Sequence, residues 1–256
     1  MKKNTEYSFT TPKYPYPRKK VHTFDLKIIY DKVGNVTGVE PNLSNNSTKI
    51  ILDLCGGTGS WSRPYKEAGY DVRVVTLPDY DVLTYIPPEN VYGILAAPPC
   101  TMFSIARNDT TAIEKRDMRK GMSTVNACLR IVHECLYDNY RVGQGLKFWA
   151  LENPQSGYLK RFLGKAPFVF DPSEYGDKHT KKTAVWGMFN EPKKTIKAIT
   201  LKGDENNYVK SVEKYFDDYK HFIPDGYRQK TGLSMRTIVR SITPKGFADA
   251  FFKVNQ

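Results

Sequence analysis

The 256-residue sequence has few cysteines and no long apolar run. The four cysteines are Cys55, Cys100, Cys128 and Cys135. They form no CxxC pair, which excludes a four-ligand zinc site of that kind and predicts free thiols in a reducing compartment. No stretch approaches the roughly 20 apolar residues that a membrane helix needs, and residues 1–20 contain no apolar segment suited to a signal peptide. We therefore expect a soluble, cytoplasmic protein without membrane contact.

Acidic residues are scarce relative to basic ones. The chain has 39 Lys and Arg against 27 Asp and Glu, which gives a formal net charge of +12. Such an excess favours a polyanionic partner, most often nucleic acid, because phosphate contacts supply most of the non-specific affinity. The alternative is a solvated basic surface that only keeps the protein in solution. Six of the cations lie in residues 1–20, which are predicted to form a basic arm.

Short aliphatic runs that stop at glycine or polar residues predict an open, mostly parallel, doubly wound α/β sheet. Strands are expected at 50–54, 72–77, 92–96, 148–151 and 183–186, and helices at 61–68, 119–139 and 246–254. The last helix is expected to have Thr243 as its cap and Pro244 at its first position. A β-hairpin is expected within 22–39, around the turn at Gly34. In such sheets ligands bind at the carboxyl ends of the strands.

The sequence divides into four predicted segments. These are a basic arm with a hairpin (1–48), the main α/β domain (49–190), a polar lobe or surface excursion (191–232) and a helix that returns to the main domain (233–256).

Three motifs fall at the predicted strand ends. The run Asp53-Leu54-Cys55-Gly56-Gly57-Thr58-Gly59 is a glycine turn that lets a ligand approach the backbone closely, such as a dinucleotide, a phosphate or S-adenosylmethionine. A tight turn without a ligand is the alternative, and a Walker loop is excluded because no Gly-Lys-Ser/Thr follows. Pro98-Pro99-Cys100 presents a thiol on a rigid loop, either as a nucleophile or as a packing residue. Glu152-Asn153-Pro154 places a carboxyl at the same edge, where the alternative is a solvated loop residue.

In identity and order these motifs resemble those of the DNA (cytosine-5-)-methyltransferases, in the style of the short phage and bacterial members. The resemblance covers residues 49–190 well and the last twenty residues loosely. It implies a Rossmann-like class I S-adenosylmethionine-dependent methyltransferase fold, with S-adenosyl-L-methionine as cofactor. It also implies DNA as partner, with the target base flipped out of the duplex.

The resemblance implies three groups of site residues. The catalytic residues are Cys100, which adds to the cytosine ring, Glu152, which holds the base, and Lys182. The cofactor-binding residues are Asp53, Cys55, Gly56, Gly57, Gly59, Trp61, Thr76, Asp81 and Pro98. The substrate-binding residues are Pro99, Ser104, Asn153, Pro154, Lys181 and Arg107. For Asp81, a carboxylate that only caps a turn is the alternative.

Three features depart from the family pattern. Thr76 stands where an acidic residue normally binds the ribose of the donor. Only about forty polar residues (191–230) replace a large recognition domain, and the segment 240–244 resembles the family's late motif faintly. Two other functions stay open: methylation of RNA or another pyrimidine, and an idle nucleic-acid-binding protein of the same fold. The intact Pro-Pro-Cys and Glu-Asn-Pro motifs argue against the idle protein.

Overall fold

The computed structural model describes residues 26–41, 43–105, 107, 115–142, 145–177, 180–196 and 219–256. The chain divides into two compact units, Met1–Asn42 and Leu43–Gln256. The predicted basic arm lies outside the described residues, as do residues 197–218 of the predicted polar lobe. Within the described ranges, no helix is both long enough and apolar enough to cross a bilayer.

The smaller unit contains the predicted hairpin. Strands β1 (Leu26–Tyr30) and β2 (Val36–Pro41) pair antiparallel. The turn is closed by Asp31, whose Oδ1 accepts hydrogen bonds from the backbone N–H groups of Val33 at 2.8 Å and Asn35 at 2.9 Å. An Asp that binds the backbone of its own turn in this way is a common turn former.

The larger unit is built on a six-stranded, mostly parallel mixed sheet. Its strands are β3 (Ile50–Leu54), β4 (Asp71–Val75), β5 (Val91–Ala96), β6 (Phe148–Pro154), β7 (Phe168–Phe170) and β8 (Thr183–Met188). The order across the sheet is β4-β3-β5-β6-β8-β7. Strands β4, β3, β5 and β6 run parallel, and β8 runs antiparallel to both of its neighbours. This architecture is compatible with a Rossmann-like fold and agrees with the predicted class.

Six α-helices are described in the larger unit. They are α1 (Arg63–Glu67), α2 (Met118–Val142), α3 (Lys160–Leu163), α4 (Tyr227–Thr231), α5 (Met235–Ser241) and α6 (Lys245–Val254). Short 3₁₀ helices lie at Leu43–Thr48, Pro172–Tyr175 and Lys220–Phe222.

The sheet is covered on both faces. Neighbouring residues of one strand point to opposite faces, so Leu52 packs with the α2 residues Val125 and Ile131, whereas Ile51 packs with the α6 residue Phe251. Parallel strands that are buried on both faces are almost uniformly apolar, which is why the aliphatic runs located them well.

Several predicted boundaries are corrected by the structure. The strand expected to end at Leu151 continues through Pro154, because β8 pairs with it along Glu152, Asn153 and Pro154. The last helix begins at Lys245 with Pro244 in the cap position, so Thr243 is not its cap. The first helix begins at Arg63 rather than at residue 61.

The aromatic packing of α6 on the sheet gives a prediction about stability. Phe251 is fully buried, and its ring centroid lies 5.5 Å from that of Trp61 and 5.8 Å from that of Phe148. Phe251→Ala should lower the free energy of unfolding by about 3–5 kcal/mol, because it removes apolar contact and leaves a cavity. Urea denaturation measures this loss. The half-exposed Phe162 is the control, and an equal loss for Phe162→Ala would contradict this account.

Candidate active site at the strand ends

The glycine turn after β3 presents bare backbone. Cys55, Gly57 and Gly59 have φ values of 56°, 57° and 72°, in the left-handed region that glycine adopts most easily. A Cβ atom placed on Gly57 would meet no atom closer than the hydroxyl of Tyr227, at 3.6 Å. The space beside Gly57 is therefore open as far as that hydroxyl.

Asp53 supports this turn from the inside. Its carboxylate is fully buried, and Oδ2 accepts a 2.5 Å hydrogen bond from the Ser62 hydroxyl. Burial raises the pKa of Asp53 to about 6, although the bond from Ser62 acts in the opposite direction. A Cβ atom on Gly56 would lie 2.3 Å from the Asp53 carboxyl carbon, so only glycine fits there. The predicted contact between Asp53 and a cofactor is corrected to a supporting role, because the carboxylate lies beneath the turn.

Two further predicted cofactor contacts point into the core. Trp61 is only 2% exposed and packs against Phe247 and Phe251, with ring centroids 5.9 and 5.5 Å away. The Cys55 thiol shares a hydrogen bond with the buried thiol of Cys128, which raises the pKa of Cys128. Trp61 is therefore a core residue rather than a cover for a ligand, and the half-buried Cys55 packs against the core cluster that contains Cys128.

The loop after β4 contains two more of the predicted cofactor residues. Thr76 is half-buried, and its carbonyl accepts a 3.0 Å hydrogen bond from the N–H of Tyr80. Asp81 Oδ1 accepts a 2.9 Å hydrogen bond from the N–H of Leu83. Asp81 thus has the turn-capping contact that the sequence left as its alternative role.

The loop that carries Cys100 is folded tightly after β5. The Cys100 carbonyl accepts hydrogen bonds from the N–H groups of Phe103 at 2.9 Å and Ser104 at 2.8 Å. On the other side, Asn153 Nδ2 donates a buried 3.0 Å hydrogen bond to the Pro98 carbonyl. Asn153 is 1% exposed and Pro98 is buried, so both hold the end of β6 against this loop instead of facing a ligand.

Cys100, Glu152 and Lys181 form one electrostatic cluster. Burial raises the pKa of the Cys100 thiol, the positive charge of Lys181 lowers it, and the carboxylate of Glu152 raises it. Burial also raises the pKa of Glu152, against the effect of Lys181. Within the described chain, the buried Oε2 atom of Glu152 has no hydrogen-bond partner. The cluster thus combines a thiol, a carboxyl favoured in its neutral form and a cation.

Lys181, and not Lys182, is the lysine of this cluster. Lys181 is half-buried and donates a 3.1 Å hydrogen bond to the carbonyl of Arg240, whereas Lys182 is exposed. Lys181 is also the lysine whose charge lowers the pKa of both Cys100 and Glu152. The prediction that Lys182 stands with Cys100 and Glu152 is therefore corrected: Lys181 occupies that position.

The other predicted substrate contacts surround the Cys100 loop. Pro99 is exposed, and Pro154 is half-buried with its carbonyl bound to the N–H of Gly157 at 2.9 Å. Arg107 donates its backbone N–H to the Ser104 carbonyl at 3.4 Å. Residues 106, 108–114 and 178–179 lie outside the described residues.

The C-terminal segment contributes residues that the sequence did not identify. The Tyr227 hydroxyl faces Gly57, and the Ser241 hydroxyl lies 4.0 Å from a Cβ position on that glycine. Lys230 forms an ion pair with Asp79 of the loop after β4. The charge of Arg240 lowers the pKa of Cys100. Only the faint motif at 240–244 signalled any of these contacts.

Neither protein-family models nor curated proteins give a match to this chain. The chemistry of the site therefore has to be argued from its residues: a bare backbone turn beside a thiol, a buried carboxyl and a lysine.

The role of Lys181 can be tested through the reactivity of the thiol. Lys181→Met should raise the pKa of Cys100, because it removes the positive charge that lowers this pKa most. The pH profile of iodoacetamide alkylation, followed by mass spectrometry of the Cys100 peptide, should move to higher pH. Lys182→Met is the matched control and should leave the profile in place; a shift with Lys182→Met alone would contradict the correction.

Proposed function

We propose that the protein methylates carbon 5 of cytosine in DNA, with S-adenosyl-L-methionine as methyl donor and Cys100 as nucleophile. The observation that carries this proposal is the cluster of Cys100, Glu152 and Lys181 beside the bare turn at Gly57. A class I methyltransferase fold is part of the proposal and is supported by the mostly parallel sheet, whose strand ends carry these residues.

A thiol suits cytosine because carbon 5 is a weak nucleophile. In the proposed reaction the Cys100 thiolate forms a bond to carbon 6, and the electron pair of the C5–C6 bond becomes available at carbon 5. That electron pair would form the new bond to the methyl carbon of the donor, while the bond from this carbon to the sulfonium sulfur breaks and the sulfur leaves with its electron pair as a neutral thioether. Water removes the proton from carbon 5, the C5–C6 double bond forms again, and Cys100 leaves as the thiolate.

Glu152 and Lys181 have complementary tasks in this reaction. A carboxyl whose pKa is raised by burial can donate a hydrogen bond to ring N3 and so stabilise the charge that develops on the ring. The unpartnered Oε2 atom of Glu152 is available for such a bond. Lys181 favours the thiolate of Cys100 through its charge. The two residues thus act on the base and on the nucleophile respectively.

The residues at the glycine turn fit a methyl donor that lies against bare backbone. S-adenosyl-L-methionine would supply an electrophilic methyl group there. The open space beside Gly57 would be filled by a side chain at that position, and the hydroxyls of Tyr227 and Ser241 border it. Gly57, Tyr227 and Ser241 would hold the donor, whereas Asp53 and Trp61 would shape the turn from below.

DNA is the proposed partner because of charge and access. The net charge of +12 favours a polyanion. A cytosine stacked in a duplex cannot reach a half-buried thiol, so it has to flip out. Ile105, which is 58% exposed in the loop after Cys100, is suited to fill the gap that the base leaves.

Covalent trapping tests the nucleophile. A duplex with 5-fluorocytosine at the target has no proton to lose from carbon 5, so the native protein should stay bound through Cys100 in the presence of the donor. Denaturing electrophoresis detects the adduct and peptide mass spectrometry locates it. Cys100→Ser should form no adduct, and Cys135→Ser, the control, should form it normally. An adduct at Cys55, Cys128 or Cys135 would refute the assignment.

The class of substrate needs a second readout. Tritium transfer from labelled S-adenosylmethionine to duplex DNA, RNA and free nucleotides, measured in parallel, should show incorporation into DNA that Cys100→Ser abolishes. Incorporation only into RNA or nucleotides would replace DNA as the substrate. No incorporation into any of the three would reject the methyltransferase.

The glycine turn gives a separate prediction about the donor. Gly57→Val should weaken S-adenosylmethionine binding at least about tenfold, or about 1.4 kcal/mol, because its side chain occupies the open space. Isothermal calorimetry measures this loss. Gly164→Val is the matched control: Gly164 also has a left-handed φ, of 78°, with nothing within 4 Å of its Cβ position. Equal affinities for both variants would mean that the turn is only structural.

A further inference from the structure

The guanidinium groups of two arginines lie over the ring of Tyr158, beside the Cys100 loop. The guanidinium carbon of Arg116 lies 4.9 Å from the centre of the Tyr158 ring, and that of Arg161 lies 4.6 Å from it. Both distances are within the range of cation–π attraction. One aromatic ring thus holds two positive charges within 5 Å of its centre.

This stack is bound directly to the loop that carries the thiol. Arg116 donates hydrogen bonds to the carbonyls of Met102 at 2.7 Å and Ser104 at 3.1 Å. The Tyr158 N–H donates to the carbonyl of Phe103, between them, at 2.8 Å. Three consecutive carbonyls of the Cys100 loop therefore accept hydrogen bonds from Arg116 and Tyr158, so the position of the stack relative to the thiol is well defined.

Arg161 is exposed and has no carboxylate within ion-pair distance in the parts of the chain that the structure describes. Other exposed cations precede it at Lys160 and occupy the first turn of α2 at Arg119 and Lys120. Arg116 and Arg161 are like charges held over one ring, and because they repel each other a bound anion would be stabilised by them. Among the described residues, the guanidinium of Arg161 is thus a cation without a carboxylate partner of its own.

We propose that Arg161, stacked on Tyr158, binds a phosphodiester group of the nucleic-acid backbone next to the Cys100 loop. A guanidinium presents paired N–H donors that match two phosphate oxygens, and stacking on an aromatic ring restricts its orientation. The net charge of +12 favours a polyanion over an isolated acidic group. The identity of the polymer rests on the proposed function; the phosphate site itself rests on the stack.

The consequence is a fixed distance between the backbone of the substrate and the nucleophile. A phosphate held by Arg161 is linked through Tyr158 and Arg116 to the carbonyls of residues 102–104, and the turn at Phe103 is hydrogen-bonded to Cys100. Arg161 is therefore a positioning residue: it would touch the substrate at its backbone and not at the reacting base.

The salt dependence of DNA binding tests this inference. The affinity of the full chain for a duplex should be measured by fluorescence anisotropy at KCl concentrations from about 50 to about 300 mM. This range is wide enough to define the slope of log affinity against log salt concentration. For Arg161→Ala the log–log slope should be smaller by about 0.9, the value for one phosphate contact, with affinity about tenfold weaker at the lowest salt. Arg161→Lys keeps the charge and should keep the slope, while losing part of the affinity.

Lys147→Ala is the control because Lys147 is exposed and precedes the amino end of β6, at the opposite edge of the sheet from Cys100. It should leave slope and affinity unchanged, and thermal melting should show that all variants fold. The inference would be overturned if Arg161→Ala had the same slope as the native protein. It would also be overturned if Arg161→Ala lost affinity for polyglutamate, measured in parallel, but not for the duplex. An equal change with duplex RNA would support a phosphate site shared by both polymers.

The outcomes separate this inference from the proposed function. If Arg161→Ala shows the smaller slope but the native protein transfers no methyl group, the phosphate site stands and the methyltransferase fails. If methyl transfer occurs and the slope is unchanged, the phosphate site fails and the methyltransferase stands.

Discussion

The site depends on the parallel register of β3, β5 and β6. Leu54 pairs with Ala96, and Ala96 pairs with Leu151, so the three strands reach the same level at their carboxyl ends. The residues that follow are the glycine turn, the Pro-Pro-Cys loop and Glu152, and they meet at one edge although the chain separates them by about a hundred residues. A one-residue shift in the pairing register would exchange the side chains on the two faces of a strand. The cores that are buried on both faces therefore also determine which side chains reach this edge.

Polar groups at this edge are buried at a cost to stability. Asp53, Glu152 and Asn153 each have a buried oxygen without a hydrogen-bond partner in the described chain. An unsatisfied buried polar atom costs on the order of 1–3 kcal/mol, so a purely structural strand end would favour apolar residues there. The raised pKa values of Asp53 and Glu152 express the same cost. The packing of the aromatic core around Phe251 offsets this cost. Buried polar groups with raised pKa values, held in place by an apolar core elsewhere, are typical of functional sites.

The sequence predicted five of the six strands of the sheet and the three motifs because each depends on local pattern, but it missed the three-residue strand β7. Aliphatic runs identify strands buried on both faces, and glycines and prolines mark the turns between them. It could not predict which way Trp61 points, because core and ligand sites select the same aromatic residue. Nor could it distinguish Lys181 from Lys182, since that choice depends on the exact register of β8 with β6. The prediction ended β6 at Leu151 instead of Pro154, because the last residues of this strand are polar and are paired only by a distant segment.

Trp61 nevertheless influences the site, through packing. Its contacts with Phe247 and Phe251 hold α6 against the sheet, and the residues just before α6 therefore lie over the glycine turn. There the N–H of Thr243 donates a 2.8 Å hydrogen bond to the Ser60 hydroxyl, and the preceding helix brings Ser241 towards Gly57. The carbonyl of Arg240 in turn anchors Lys181 beside Cys100. A loss of packing at Trp61 would thus reach the nucleophile through a chain of defined contacts, because close-packed interiors transmit displacement instead of absorbing it.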